Sequence, residues 1–308
     1  MYFNPLKKNQ MAEMLPKVRG KYLYNVPMKR HTKLCVGGDA EVVFCPEDIA
    51  DLQDFLRQKP ENIPMFVLGG GSNVLVRDGG IAGVVVSLTS SKFFRKYEVE
   101  NNLLTCYAGL HNEKLLRIMC DSYLGGLEFL ASIPGTIGGA VRTNAGCFGY
   151  CIGDFLQSAM IVDSTGELKK VYPEDLNLGY RSSLFPDDWI VVSLTFKLRP
   201  STKHEIKNKI KEYQEYRLEK QPYNKRTAGS FFKNPDGLKA WELIKKSGAQ
   251  NLKVGGAEVS DKHCNFIINS GNATAEDIEK LAEEIVNLVK RKTYITLEWE
   301  VKRVGVKK

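Results

Sequence analysis

Apolar residues recur along the 308 positions with a period that changes from strand to helix and back several times. Near the start, Glu41-Val42-Val43-Phe44 reads as a strand. A Pro-Glu-Asp turn then opens a helix with Ile49, Leu52, Phe55 and Leu56 at helical spacing, and Met65-Phe66-Val67-Leu68 reads as a second strand. Between 89 and 200 short strand-like pieces at 160–162, 168–171 and 190–198 are separated by turns at Ser164-Thr165-Gly166 and Pro186-Asp187-Asp188. One helix near 111–124 interrupts them and sets Leu115, Leu116, Met119 and Tyr123 on one face. Beyond Arg199-Pro200 come a charged helix over 203–219, a helix around 238–246 and a strand over 264–268. A helix over 275–292 follows, with Thr274 as its N-cap and Ile278, Leu281, Ile285, Leu288 and Val289 inward. In the last stretch, 294–302, period two places Ile295, Leu297, Trp299 and Val301 on one face and Thr296, Glu298, Glu300 and Lys302 on the other. These shifts predict an α+β chain of three units, 1–88, 89–200 and 201–308.

Two glycine clusters interrupt this pattern. Gly69, Gly70, Gly71, Ser72 and Asn73 stand between two apolar strand-like runs. Glycine takes positive φ and lets main-chain N–H groups converge on an anion, while Ser72 and Asn73 add short hydrogen-bonding groups. The cluster lacks the Gly-Lys-Ser/Thr ending of an NTPase phosphate loop, and Val74 stands where Gly-x-Gly-x-x-Gly needs its last glycine. About sixty residues on, Ser132, Pro134, Gly135, Thr136, Gly138 and Gly139 form a second cluster, followed by Arg142, Asn144 and Gly146. Two phosphate-sized loops suit a long ligand held from both sides, as a dinucleotide such as FAD would be.

The order Gly-Gly-Gly-Ser-Asn-Val-Leu, Ile-Pro-Gly-Thr-Ile-Gly-Gly-Ala, Gly-Tyr-Arg-Ser-Ser, Ala-Gly-Ser-Phe-Phe-Lys-Asn-Pro and a terminal Glu-Val-Lys-Arg resembles the UDP-N-acetylenolpyruvoylglucosamine reductase (MurB) family over nearly the whole chain. The resemblance implies an FAD-binding fold of two α/β subdomains (PCMH-like), 1–88 and 89–200, with a C-terminal α+β substrate-binding domain, 201–308. It also implies NADPH-dependent reduction of UDP-N-acetylglucosamine enolpyruvate to UDP-N-acetylmuramate, a peptidoglycan precursor, with FAD held non-covalently. By that resemblance Ser230 is the proton donor, and Arg181 and Glu300 polarise the enolpyruvyl carboxylate, Glu298 being the alternative on the same strand face. Tyr180, Lys220, Lys233 and Asn234 are the expected substrate contacts, Lys220 and Asn234 at the UDP diphosphate. No room exists between Arg181 and Lys220 for the tyrosine-bearing insertion of one branch of the family, so the chain resembles the shorter branch.

Composition narrows the alternatives. A net charge of +8 suits nucleic acid, a membrane surface or small anionic ligands. The basic residues are interleaved with acids, as in Glu205-Ile206-Lys207-Asn208-Lys209-Ile210-Lys211-Glu212, and no basic tail or RNA-type aromatic motif occurs, which favours the third. The first residues lack the apolar run of a secretion signal, and a cytoplasmic monomer with no nucleic-acid or membrane partner is expected. Seven cysteines at irregular spacing predict no disulfide framework, and mostly buried thiols. The four histidines have no metal-binding spacing, so no metal is expected. Two rival functions remain open: another FAD-linked dehydrogenase or oxidase of the same cofactor fold, and a non-catalytic UDP-sugar binding protein.

Overall fold

The computed structural model describes residues 8–181, 183 and 185–308. The stretch 1–7, on which the expected lack of a secretion signal rests, and Ser182 of the Gly-Tyr-Arg-Ser-Ser block lie outside the described residues.

After a short helix α1 (Lys8–Met14), β1 (Lys21–Pro27) and β2 (Asp39–Cys45) form an antiparallel pair. Helix α2 (Ile49–Gln58) crosses over to β3 (Met65–Leu68), β4 (Val74–Val76) and β5 (Ile81–Ser87). The sheet order is β1-β2-β5-β3, with β5 parallel to both its neighbours. Its Val84, Val85 and Val86 are all fully buried, as a central parallel strand covered on both faces requires. The carboxylate of Asp48 accepts from the Asp51 N–H and starts α2, whose Phe55 packs 4.4 Å from the Phe44 ring.

The second unit begins with β6 (Tyr97–Glu100) and β7 (Leu103–Tyr107), then α3 (Asn112–Ser122), the short β8 (Leu124–Gly125) and α4 (Ile137–Arg142). A small hairpin, β9 (Gly146–Cys147) with β10 (Tyr150–Cys151), leads into β11 (Leu156–Val162), β12 (Leu168–Val171), β13 (Ile190–Lys197) and β14 (Arg199–Pro200). Its main sheet is antiparallel in the order β12-β11-β13-β7-β6, and β14 pairs with β8. Tyr123, expected on the buried face of α3, instead ends that helix in left-handed geometry (φ 57°) and is exposed. A tyrosine there forgoes burial because the chain must reverse direction.

Helix α5 (Lys203–Lys220) is started by a capping box of Thr202 and Glu205. After it come α6 (Ala240–Ser247), β15 (Lys253–Val254), β16 (Ala257–Val259), β17 (Ile267–Asn269), α7 (Ala275–Thr293) and β18 (Lys302–Val304). Thr274 caps α7 as expected, with Asp277 completing its capping box. Two strand expectations change. The strand expected over 264–268 lies later, in β17, and 294–302 is not a regular strand: Tyr294 turns left-handed (φ 61°), and regular pairing begins only at Lys302, where β18 joins β4 in parallel. Alternation survives there, with Leu297 and Val301 buried, because single backbone bonds hold the segment: Lys233 N–H to Glu298 O at 2.9 Å and Glu300 N–H to Phe231 O at 2.8 Å.

Packing does not respect the order of units along the chain. Phe44, Phe55 and Val86 of the first unit share one core with Leu104, Phe129 and Ile161 of the second, and α5 contributes Tyr213 to it. Leu34 and Leu75 from the first unit join Phe231, Phe232, Ile278 and Leu297 in the core of the last. The seven cysteines are free thiols. Cys45, Cys106 and Cys120 are buried and the other four half-buried, fewer buried than the composition suggested.

Candidate active site

The glycine clusters meet. A methyl group added to Gly70 would come within 2.8 Å of the Gly135 Cα, and one added to Gly69 within 2.8 Å of the Thr136 hydroxyl. Only glycine permits this approach. Gly71 (φ 61°) has the further demand of left-handed backbone against the His31 carbonyl. Ser72 locks the two loops together by donating to the Pro134 carbonyl at 2.9 Å, and the Asn73 amide donates to the Glu300 carbonyl at 3.1 Å. The Thr136 hydroxyl caps α4 by accepting from the Gly139 N–H at 3.3 Å.

Both loops line one cavity of about 1300 Å³, with Ser132, Pro134, Gly138 and Gly146 also on its wall. That exceeds the roughly 300–1,000 Å³ of an ordinary small-molecule site, so it has room for a dinucleotide and a nucleotide-sugar side by side. Among the described residues, the N–H groups of Gly70, Gly71, Ser72 and Asn73 have no protein acceptor. Cβ-free backbone and free donors along a long cavity are what the phosphates of a dinucleotide need, so the residues fit FAD. Among the described residues no cluster of His, Cys, Asp or Glu has the arrangement of a metal site, and no helix is long and apolar enough to cross a membrane.

Asn144 behaves differently from its neighbours. It is buried, its amide donates to the Gly179 carbonyl at 2.8 Å, and its oxygen accepts from the Gly153 N–H at 3.0 Å. Its side chain braces the loop that carries Arg181 rather than facing the cavity.

Arg181, Ser230 and Glu300 come together on the cavity wall. Arg181 has left-handed backbone (φ 52°). Its Nε donates to Glu300 Oε1 at 2.9 Å and its Nη2 to the Gly146 carbonyl at 2.7 Å, which fixes the guanidinium plane. Ser230 is brought beside Glu300 by the backbone bond from the Glu300 N–H to Phe231, one residue on. Gly229 (φ 85°) precedes it, and a side chain there would meet nothing within 4 Å. Among the described residues the Ser230 hydroxyl takes no protein hydrogen bond, leaving it available to a ligand. Period two cannot separate Glu298 from Glu300, but their surroundings do. The Glu298 side chain is 76% exposed and ion-pairs with Lys233 at 3.4 Å, while that of Glu300 is 18% exposed and faces Arg181. Burial pushes the Glu300 carboxyl above the usual carboxylate range, against the pull of Arg181 and Lys233.

The expected substrate contacts are engaged by protein partners. The Tyr180 ring stands 5.4 Å from the Arg181 guanidinium, and its hydroxyl accepts from the Asn234 N–H at 3.4 Å. The Asn234 side-chain oxygen accepts from the Ala240 N–H at 3.0 Å, at the start of α6. Lys220 ion-pairs with Glu219 at 2.6 Å and is half exposed. None of Tyr180, Lys220, Lys233 and Asn234 is part of the cavity wall itself. Residues that the sequence did not single out are on it: Cys147, Trp189, Arg217, Tyr223 and Thr227. Their only sequence signal was proximity to the recognised blocks, and for Trp189 and Arg217 not even that.

Residues 40–172 match the model of an FAD binding domain, and residues 221–304 match the model of the UDP-N-acetylenolpyruvoylglucosamine reductase C-terminal domain. A UDP-N-acetylenolpyruvoylglucosamine reductase of Paramagnetospirillum magneticum is 42% identical over 302 residues, 98% of each chain. That of Sphingopyxis alaskensis is 44% identical over 292 residues, 94% of this chain and 97% of its own. The crystal structure of the Thermus caldophilus reductase (MurB) superposes with a TM-score of 0.80 at 32% identity, covering 94% of this chain and all of that one.

Proposed function

The chain belongs to the UDP-N-acetylenolpyruvoylglucosamine reductase family, and from that membership we propose that Ser230, Arg181 and Glu300 carry its reaction. It is an FAD-dependent oxidoreductase that reduces the enolpyruvyl group of UDP-N-acetylglucosamine enolpyruvate in peptidoglycan precursor synthesis. The hydride relay from NADPH to the enolpyruvyl double bond is the chemistry that FAD supplies when bound.

The glycine loops, residues 69–73 and 135–139, hold the cofactor's phosphates through backbone N–H groups. Arg181 meets the enolpyruvyl carboxylate with the part of its fork not taken by Glu300 and Gly146. As hydride arrives at the terminal carbon, charge develops on the carbon next to that carboxylate, and the guanidinium stabilises it. Ser230 donates its proton to that carbon, which completes addition of hydride and proton across the double bond. Glu300 fixes Arg181 in place. Tyr180, Lys220, Lys233 and Asn234 are the further contacts to the nucleotide-sugar, and the enzyme acts as a cytoplasmic monomer on free nucleotides.

The observation that carries this reading is the meeting of a free serine hydroxyl and a braced guanidinium in the cavity that the two glycine loops line. Purified protein is expected to be yellow, to bleach under NADPH without oxygen, and to recover on addition of UDP-N-acetylglucosamine enolpyruvate. In Ser230→Ala, bleaching should persist while recovery slows at least 100-fold; recovery at the wild-type rate would remove Ser230 from the proton transfer.

A further inference from the structure

We propose that Asn144 is a positioning residue for Arg181, setting the backbone from which the guanidinium reaches the substrate carboxylate. The inference rests on the role given to Arg181 above and adds to it a buried residue that is not on the cavity wall.

Arg181 and Asn177, four residues before it, both have left-handed backbone (φ 52° and 38°). Residues other than glycine keep such geometry only where their surroundings impose it. The segment 142–146 meets this loop at alternate positions: the Ser183 hydroxyl donates to the Arg142 carbonyl at 2.7 Å, the Asn144 amide to the Gly179 carbonyl at 2.8 Å, and Arg181 Nη2 to the Gly146 carbonyl at 2.7 Å. Of the three, the Asn144 bond is the one made to the loop's backbone.

Asn144 suits this place in three ways. Its own backbone is left-handed (φ 40°), which asparagine adopts at less cost than most residues. Its side chain carries a donor and an acceptor on one short amide, and both are used, the oxygen accepting from the Gly153 N–H at 3.0 Å. Room is kept for it as well: a Cβ on Gly153 would lie 2.9 Å from that oxygen.

The segment follows α4 and the second glycine loop without a break, so residues 135–146 carry both a cofactor loop and the ties of the Arg181 loop. Reaction needs the reacting atoms about 3–3.5 Å apart and aligned, and one short stretch that holds both partners keeps them so.

The test uses FAD-loaded wild type, Asn144→Ser, Gly153→Ala, Arg181→Ala and the double variant Asn144→Ser/Arg181→Ala. Anaerobic bleaching by NADPH and reoxidation by UDP-N-acetylglucosamine enolpyruvate are followed separately on each. Serine is too short to span Gly153 and Gly179, and reoxidation should slow by about 10- to 100-fold, as when a substrate-holding group is misplaced by about 1 Å. FAD content and the bleaching rate should stay within about twofold of wild type. Gly153→Ala displaces the Asn144 amide without removing it and should slow reoxidation by about 2- to 10-fold, with bleaching again preserved. In the double variant the effect of Asn144→Ser should shrink to within about twofold, since a residue that acts through Arg181 has nothing left to position. Reoxidation at the wild-type rate in Asn144→Ser, loss of FAD from it, bleaching slowed as much as reoxidation, or an undiminished effect in the absence of Arg181 would each overturn the assignment. Should Asn144→Ser not fold, Gly153→Ala decides alone, and wild-type reoxidation there overturns it. Failure of the underlying reading shows elsewhere: Arg181→Ala reoxidising like wild type would sink the role of Arg181, and wild-type flavin that the enolpyruvyl nucleotide does not reoxidise would sink the reaction itself.

Discussion

At the scale of single residues, the Arg181–Glu300 pair sets the character of the site. Glu300 is held 2.9 Å from a guanidinium, yet its pKa lies above the ordinary value, because desolvation outweighs the attraction of Arg181 and Lys233. A carboxyl whose folded pKa exceeds its unfolded one keeps its proton to higher pH when native. Its contribution to stability is therefore full below the unfolded value and is lost as pH rises through the folded one. Glu300→Gln cannot titrate. The thermal midpoint of wild type relative to Glu300→Gln should thus fall between about pH 4 and about pH 8, measured by circular dichroism across that range. A difference that grows with pH would mean that Arg181 wins over burial. Which of two glutamates two positions apart faces Arg181 was not legible in the sequence, since Glu298 and Glu300 share a strand face. Only the single bonds to residues 231 and 233 set one into the cavity and leave the other in solvent.

At the scale of elements, the two glycine loops are the most demanding pieces. Their contact is made between backbones, and a Cβ on Gly70 would press on the Gly135 Cα, which has no flexible end to move aside. Gly70→Ala should therefore separate the loops, and the purified variant should carry less than about half the wild-type FAD per chain by absorbance, with folding largely preserved. FAD content equal to wild type would show that the loops tolerate separation. Helices with a clear apolar stripe, α2 and α7, were readable in outline from the chain, caps included, because capping residues and periodicity are local properties. Helix α4 was not predicted: its six residues are too few for a periodic signal, and it exists because Thr136 caps it and Ile137 and Val141 are buried.

For the whole molecule, the question is what ties the last unit to the first. Strand β18 pairs with β4, the Asp78 carboxylate accepts from the Ala275 and Glu276 N–H groups at 3.0 and 2.9 Å, and Arg77 Nε meets Glu279 at 3.0 Å. Glu279 is almost fully buried, so Arg77→Ala leaves a desolvated charge without its partner. It should cost about 3 kcal/mol in denaturant unfolding, and adding Glu279→Gln should recover part of that loss. A loss below about 0.5 kcal/mol would place the tie in strand pairing alone. The sequence by itself determined the helices with strong stripes, the glycine loops and the order of motif blocks, because each depends on neighbours a few residues away. Ser230 and Arg181 stood out only through the resemblance of their blocks to the family. Tertiary structure alone decided that the first two units share a core and that the glycine loops touch. It also decided that Glu300 and not Glu298 meets Arg181, because burial and partnership depend on residues far apart in the chain.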